Sequence, residues 1–315
     1  MIIDAHLHLV PRVQGRIGLG AVIPLERGLV RAGPGEPRRM LPPFPGRTRF
    51  PPEVALDYLD WAGVDRAVLL QGSFYGECNA AVRRAVRQWP DRFTGAAFVD
   101  PRGPNPRAAL RRRANEGFRI LKFELSVGTG FLGLYPDLRL DEPVFVDLYA
   151  LAAELGFTVT LDLGAPGSPS YQTAAVEALA RRHPATRLVI AHLAQPPLAA
   201  QYAAPATPEK DAAWEAQLAL GRLPNVWFDL SALPYFAGPQ DYPWPSAILA
   251  VQRAAALIGA DRLMWGTDAP GTLAGATYHQ LLGWVSRQCD FLDPAQRAAV
   301  LGETAAKVYG PFQFV

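Results

Sequence analysis

Short runs of apolar and β-branched residues alternate with longer amphipathic stretches, and the alternation repeats eight times along the chain. The runs at 2–9, 66–71, 94–99, 118–124, 157–163, 187–193, 225–231 and 262–268 predict strands. Stretches between them, such as 52–62, 79–89, 144–155, 171–182 and 247–258, carry helical spacing. Strand–helix alternation predicts a parallel sheet with helices outside it. Eight such units in one chain favour an α/β fold closed as a (β/α)8 TIM barrel over an open doubly wound sheet.

The connectors sharpen that picture. Those leading from helix into strand are short, at 62–65, 155–156, 183–186 and 259–261, whereas strand-to-helix connectors are long at 10–51, 126–143, 194–208 and 232–245. In a barrel all strand-to-helix loops gather at the C-terminal face, where active sites of this architecture lie. Proline is over-represented at 30 of 315 residues, and seven prolines fall between 31 and 52 (Pro34, Pro37, Pro42, Pro43, Pro45, Pro51, Pro52). This stretch interrupts a barrel rather than joining two units. Residues 31–52 therefore read as a rigid flap over the mouth, within a proline-rich insertion at 11–51 after strand 1, and residues 1–315 as a single domain without internal repeats.

Composition excludes several function classes. With 31 basic and 29 acidic residues the formal charge is only +2, which gives no field for nucleic acid or anionic membranes. No apolar run approaches the roughly 18 residues of a membrane span, and the start Met1-Ile2-Ile3-Asp4 turns polar too soon for a signal peptide. The expectation is a cytoplasmic protein with a small-molecule substrate; the sequence admits a homo-oligomer. Cys78 and Cys289 lie far apart without metal-ligand spacing and read as structural thiols.

Candidate chemistry sits at the strand ends. His6 and His8, two apart on the first strand, project to the same side and can share one metal ion. If strand 8 closes the barrel beside strand 1, Asp268 joins them as a carboxylate that can ligate the ion and take a proton from water. Polar groups also end strand 4 (Lys122, Glu124), strand 5 (Asp162) and strand 6 (His192). Charged groups buried at barrel strand tips without partners are costly, so these call for function. His183 lies in a helix-to-strand connector at the other end and reads as structural. His279 reads as an ordinary helix residue.

Asp4-Ala5-His6-Leu7-His8, Ala191-His192-Leu193 and Trp265-Gly266-Thr267-Asp268-Ala269-Pro270 resemble the amidohydrolase-2 branch of the amidohydrolase superfamily. That branch includes aminocarboxymuconate semialdehyde decarboxylase, γ-resorcylate decarboxylase and pyrone dicarboxylate lactonase. The likeness runs in order through Tyr75–Asn79, Pro90–Phe93, Val99–Pro101, Gly117–Arg119 and Asn225–Ser231. It implies that His6, His8 and Asp268 ligate one divalent metal and that His192 activates water. It implies no carboxylated Lys122 bridging two ions. At strand 5, where relatives offer a histidine, this chain has Asp162, which can ligate in its place, and Glu124 also stands where relatives often have histidine. Two imidazoles with two carboxylates neutralise a divalent ion, so Zn²⁺ is the expected metal with Mn²⁺ or Fe²⁺ more competitive than usual.

The expected reaction is hydrolysis of a small ester, lactone or amide bearing a carboxylate. His192 or Asp268 takes the proton of water and the other protonates the leaving group, while Lys122 or Arg12 anchors the carboxylate. Tyr75 and Tyr235, together with Tyr135, Tyr242 and Trp244, are candidates for the cavity wall. The alternative enzymatic reading is non-oxidative decarboxylation of an aromatic or muconate-like acid. A barrel that only binds its ligand would need no base such as His192.

Overall fold

The computed structural model describes residues 1–198 and 206–312, so part of the 194–208 loop lies outside the described residues. Eight parallel strands form one sheet in chain order: β1 (Ile3–His8), β2 (Arg66–Leu70), β3 (Phe93–Ala97), β4 (Ile120–Glu124), β5 (Thr158–Asp162), β6 (Leu188–Ile190), β7 (Val226–Asp229) and β8 (Leu263–Met264). Backbone bonds from Ala5 N to Trp265 O (3.0 Å), Asp268 N to His6 O (2.7 Å) and His8 N to Ala269 O (2.8 Å) join the two edges. The sheet is thereby closed into the expected (β/α)8 barrel.

All eight strands are shorter than their apolar runs, β6 and β8 by the most. After Ile190 the chain leaves the strand for a tight turn, and Trp265 N bonds Val300 O instead of a neighbouring strand. The helices start where predicted within about two residues. Many of the prolines have a local cause, because the helices Pro52–Ala62, Pro106–Asn115, Pro143–Glu154, Pro208–Leu218 and Pro245–Ile258 each begin on one. There proline loses no hydrogen bond, and its fixed φ already suits the first turn.

The barrel interior has an apolar lower layer from alternate strand positions, including Ile3, Ala5, Val68, Ile120, Val189 and Met264. The helix Thr304–Tyr309 closes it with Ala305, Val308 and Tyr309. Ile3 and Ala5 have the opposite parity to His6 and His8. A register shift between Asp4 and Leu7 in the pairing with β2 reverses the alternation, so the histidines continue the inward row. Asp4, displaced from that row, accepts from Thr267 N (2.9 Å), Thr267 Oγ1 (2.6 Å) and Tyr278 OH (2.6 Å). It ties the end of β1 to the segment carrying Asp268.

The insertion after β1 folds as a four-stranded antiparallel sheet, Arg16–Ile17, Gly20–Pro24, Leu29–Ala32 and Arg38–Arg39. Reciprocal backbone bonds between Val10 and Phe50, 2.7 and 2.6 Å, pinch its base. Buried Thr48 fixes its far side by donating to Leu25 O and Leu29 O. Among the described residues no helix is long and apolar enough to cross a membrane.

Candidate active site

A cavity of about 450 Å³ opens at the C-terminal face of the barrel. His8, Lys122, Glu124, Asp162, His192 and Asp268 line its floor; Arg38, Arg39 and Met40 of the flap and Tyr75 and Tyr235 from barrel loops form its walls. Six of the residues expected from the strand ends thus converge, with His6 buried just behind them. Arg12 does not join them: it is exposed at the base of the insertion and stays outside the cavity, where Arg38 and Arg39 take the position expected of it. Tyr135 lines a separate, smaller pocket, and Tyr242 and Trp244 lie off the cavity.

His6 Nε2, His8 Nε2 and Asp268 Oδ1 form a triangle with edges of 3.2, 3.0 and 3.5 Å. Ligand atoms around a tetrahedral zinc at about 2.0–2.1 Å stand roughly 3.3–3.4 Å apart. The spacing of this triangle therefore suits one ion. Behind it, His6 Nδ1 donates to Asp229 Oδ2 (3.0 Å), which leaves the Nε2 lone pair pointing into the triangle. Its partner His8 lacks that support, since His8 Nδ1 is buried without a hydrogen bond. Lys122 Nζ lies 2.9 Å from the same His6 Nε2, so an ammonium competes for the lone pair that an ion would use.

Asp162 lies beside His192 at the end of β5. Its Oδ2 faces His192 Nε2 at 3.5 Å and its Oδ1 accepts from Gly164 N at 3.1 Å, so it pairs with the histidine rather than completing the triangle. Glu124 likewise stays outside the two groups with metal-ligand spacing among the described residues, His6/His8/Asp268 and His6/His192/Asp229. Glu124 presses against Gly72, where an added Cβ would collide with its Oε2.

His192 owes its place to a strained turn. His192, Leu193, Ala194 and Gln195 all have φ between 47 and 58°. Left-handed backbone costs a non-glycine residue about 1–2 kcal/mol. The turn persists because its polar groups are caught: His192 N donates to Asp229 Oδ1 (3.0 Å), Trp214 Nε1 to Leu193 O (2.8 Å) and Tyr171 OH to Ala194 O (2.9 Å). His192 Nδ1 meets Ser231 Oγ at 2.8 Å, and Ser231 Oγ in turn donates to Asp229 Oδ1 in a short bond. Asp229 and Ser231 thus buttress both His6 and His192. Sequence reasoning assigned them no role, although they repeat at the end of β7 the spacing of two that flagged His6 and His8.

Charge separates the imidazoles. Burial, reinforced by the Lys122 ammonium, lowers His8 to about 3 despite the Asp268 carboxylate beside it. Burial also acts against a charged His192, but Asp162, Asp268 and Asp229 outweigh it and raise its pKa to about 9. Asp162 is held at about 2, the pull of His192 overcoming its burial. Asp268 stays well below the usual carboxylate range, because His8, His6 and His192 overcome its burial. Burial pushes Glu124 up to about 7, Lys122 opposing and Asp162 adding to the rise. At neutral pH the floor therefore offers a neutral His8, an ionised Asp268 and a protonated His192.

Comparison with known proteins agrees with this architecture. The chain is 35% identical over 192 residues to the L-fucono-1,5-lactonase of Burkholderia ambifaria, a match spanning 57% of this chain and 61% of that relative. In fold it resembles the crystal structure of a probable 2-pyrone-4,6-dicarboxylic acid hydrolase from Acinetobacter baumannii, solved with citric acid bound, at TM-score 0.69. That alignment has 20% identity and covers 98% of this chain and 99% of the other. An amidohydrolase from Burkholderia multivorans with bound zinc is equally similar, at TM-score 0.69 and 20% identity over 98% of this chain and 99% of that one. The amidohydrolase family model matches residues 3–310, and the chain belongs to that family.

Proposed function

We propose that this protein is a hydrolase that opens lactone rings of hydroxylated acids. The observation that carries the reading is that Asp268, at the His6/His8 triangle, and His192, facing Asp162, meet on one cavity floor. Such a pair divides base and acid work between two residues at one pH. Asp268 takes a proton from the attacking water as its oxygen bonds to the ring carbonyl carbon. His192 gives its Nε2 proton to the ring oxygen as the carbon–oxygen bond breaks, and the product is the open-chain hydroxy acid. His192 then regains a proton from Asp268 through solvent. Of the two assignments that the sequence leaves open, the charges favour Asp268 as base and His192 as acid. The named lactonase relative supports a lactone over an amide.

His6, His8 and Asp268 are the residues that would hold a divalent ion, with zinc first and manganese or iron as alternatives. The bound ion would supply Lewis-acid polarisation of the carbonyl. Ser231 and Asp229 keep His6 and His192 oriented, and Tyr75, 4.9 Å from the His8 ring, covers the floor against bulk water.

The test is acid release from L-fucono-1,5-lactone and from lactones bearing an added carboxylate, followed together with CO₂ evolution from aromatic and muconate-like acids. The expected result is one proton released per ring opened with the carbon skeleton intact. Evolution of CO₂ without lactone opening assigns the site to decarboxylation instead.

A further inference from the structure

We infer that Arg38 makes the cavity selective for ligands carrying an anionic group, a carboxylate or a phosphate, which it seats at the flap end away from the reacting bond. The inference rests on the hydrolytic reading for which bond reacts, though not for which ligand binds.

The cavity is polarised. Its floor holds the carboxyl groups Glu124, Asp162 and Asp268, and its rim holds two guanidinium groups from one flap strand, Arg38 and Arg39. The two arginines differ in what they have left to offer. Arg39 Nη1 already donates to Arg27 O (2.9 Å) and Leu41 O (3.1 Å), which knits the flap to itself. Arg38 forms no ion pair or hydrogen bond among the described residues, and its guanidinium carbon lies 4.3 Å from the centre of the Phe74 ring. Phe74 is itself cavity wall, and the pairing of Arg38 with Val30, another wall residue, fixes the backbone beneath it. A guanidinium held over an aromatic face by a cation–π contact still has N–H groups to offer a carboxylate or phosphate.

Lys122, a further cation of the cavity, is engaged with His6 on the floor, so its ammonium is already partnered. An anionic substituent is drawn to the Arg38 guanidinium at the rim. The ligand's uncharged ring carbonyl is then directed towards Asp268 and His192. Ser126, Thr129, Gln195 and Thr272 add polar groups to the cavity lining.

Calorimetry on the full chain with three six-membered-ring probes that contain no ester reads this without turnover: cyclohexanecarboxylate, cyclohexylphosphonate (standing in for a phosphate) and cyclohexanol. At least one anionic probe is expected to bind about tenfold or more tightly than cyclohexanol, as a charge-assisted contact implies. Which of the two binds better identifies the group. Arg38→Met should erase the preference while keeping the stem over Phe74, and Arg38→Lys should restore part of it. Absence of binding by both anions, equal binding of cyclohexanol, or an undiminished preference in Arg38→Met overturns the inference. Lactone hydrolysis without anion preference removes the role of Arg38 and leaves the hydrolytic reading standing. Arg38-dependent anion binding with no lactone opened does the reverse.

Discussion

His8 and His192 line the same cavity, are equally buried, and are driven to opposite charge states. His8 faces one carboxylate and one ammonium, Asp268 and Lys122, and burial decides the outcome in favour of the neutral ring. His192 stands among Asp162, Asp268 and Asp229, and three carboxylates overcome the same burial. Identical side chains thus serve as a lone-pair donor on one side of the floor and a proton donor on the other. Burial alone does not set the role of an active-site imidazole; the count and sign of the charges around it do.

The largest expected effect comes from removing the group that both imidazoles share. Asp268→Asn deletes the proposed base, and kcat should fall by about 10²–10⁴-fold in an acid-release assay. An unchanged rate would assign proton removal elsewhere.

Asp162→Asn acts on one side only. His192 loses the carboxylate opposite its Nε2, so its pKa should drop from about 9 towards the ordinary 6.5. A group needed as the acid works below its pKa, so the basic limb of the kcat profile should move to lower pH by a unit or more. The same shift has a stability consequence. Because the folded pKa is raised, the contribution of His192 is fully present below about 6.5 and lost as pH rises through about 9. Thermal melts across that window should show Tm falling in the wild type and a shallower fall in Asp162→Asn.

Lys122→Met acts on the other side. It removes the cation from His6 Nε2 and from the neighbourhood of His8. Zinc affinity measured by competition with a chelating dye should tighten by about tenfold, corresponding to roughly 1.4 kcal/mol of lost repulsion. Weaker zinc binding would make Lys122 a support of the metal site instead of a rival.

The smallest effects belong to the turn that presents His192. Tyr171→Phe and Trp214→Phe each delete one hydrogen bond to its carbonyls, worth about 1 kcal/mol. The expected signature is a kcat lowered a few-fold with KM unchanged. A matching loss in both parameters would point to general loosening.

The contrast between β1 and β6 also shows what the sequence could and could not carry. The eight apolar runs, the asymmetry of the connectors and the strand-tip positions of His6, His8, Lys122 and Glu124 follow from periodicity, and the fold realises them. Asp268 was legible only through barrel closure. Alternation puts His192 at the tip of a strand, yet it sits in a left-handed turn built from four non-glycine residues. The bonds holding that turn come from Tyr171, Trp214 and Asp229, distant in sequence and invisible to local pattern. The same distance explains why Asp162 reads as a metal ligand in isolation and pairs with His192 in space. The prolines of the insertion do not say which arginine it delivers, because that depends on the register of its strands, and Arg38 lines the cavity where Arg12 does not.

The opposed charges of His8 and His192 can be read directly by nitrogen-15 NMR of the imidazoles in metal-free protein, which the chain's five histidines make assignable. Across a titration from about pH 5 to pH 10, both nitrogens of His192 should remain protonated until about pH 9, while His8 stays neutral throughout. A His192 that loses its proton at or below 6.5, in step with an ordinary histidine, would contradict the assignment of acid and base on which the proposed hydrolysis stands.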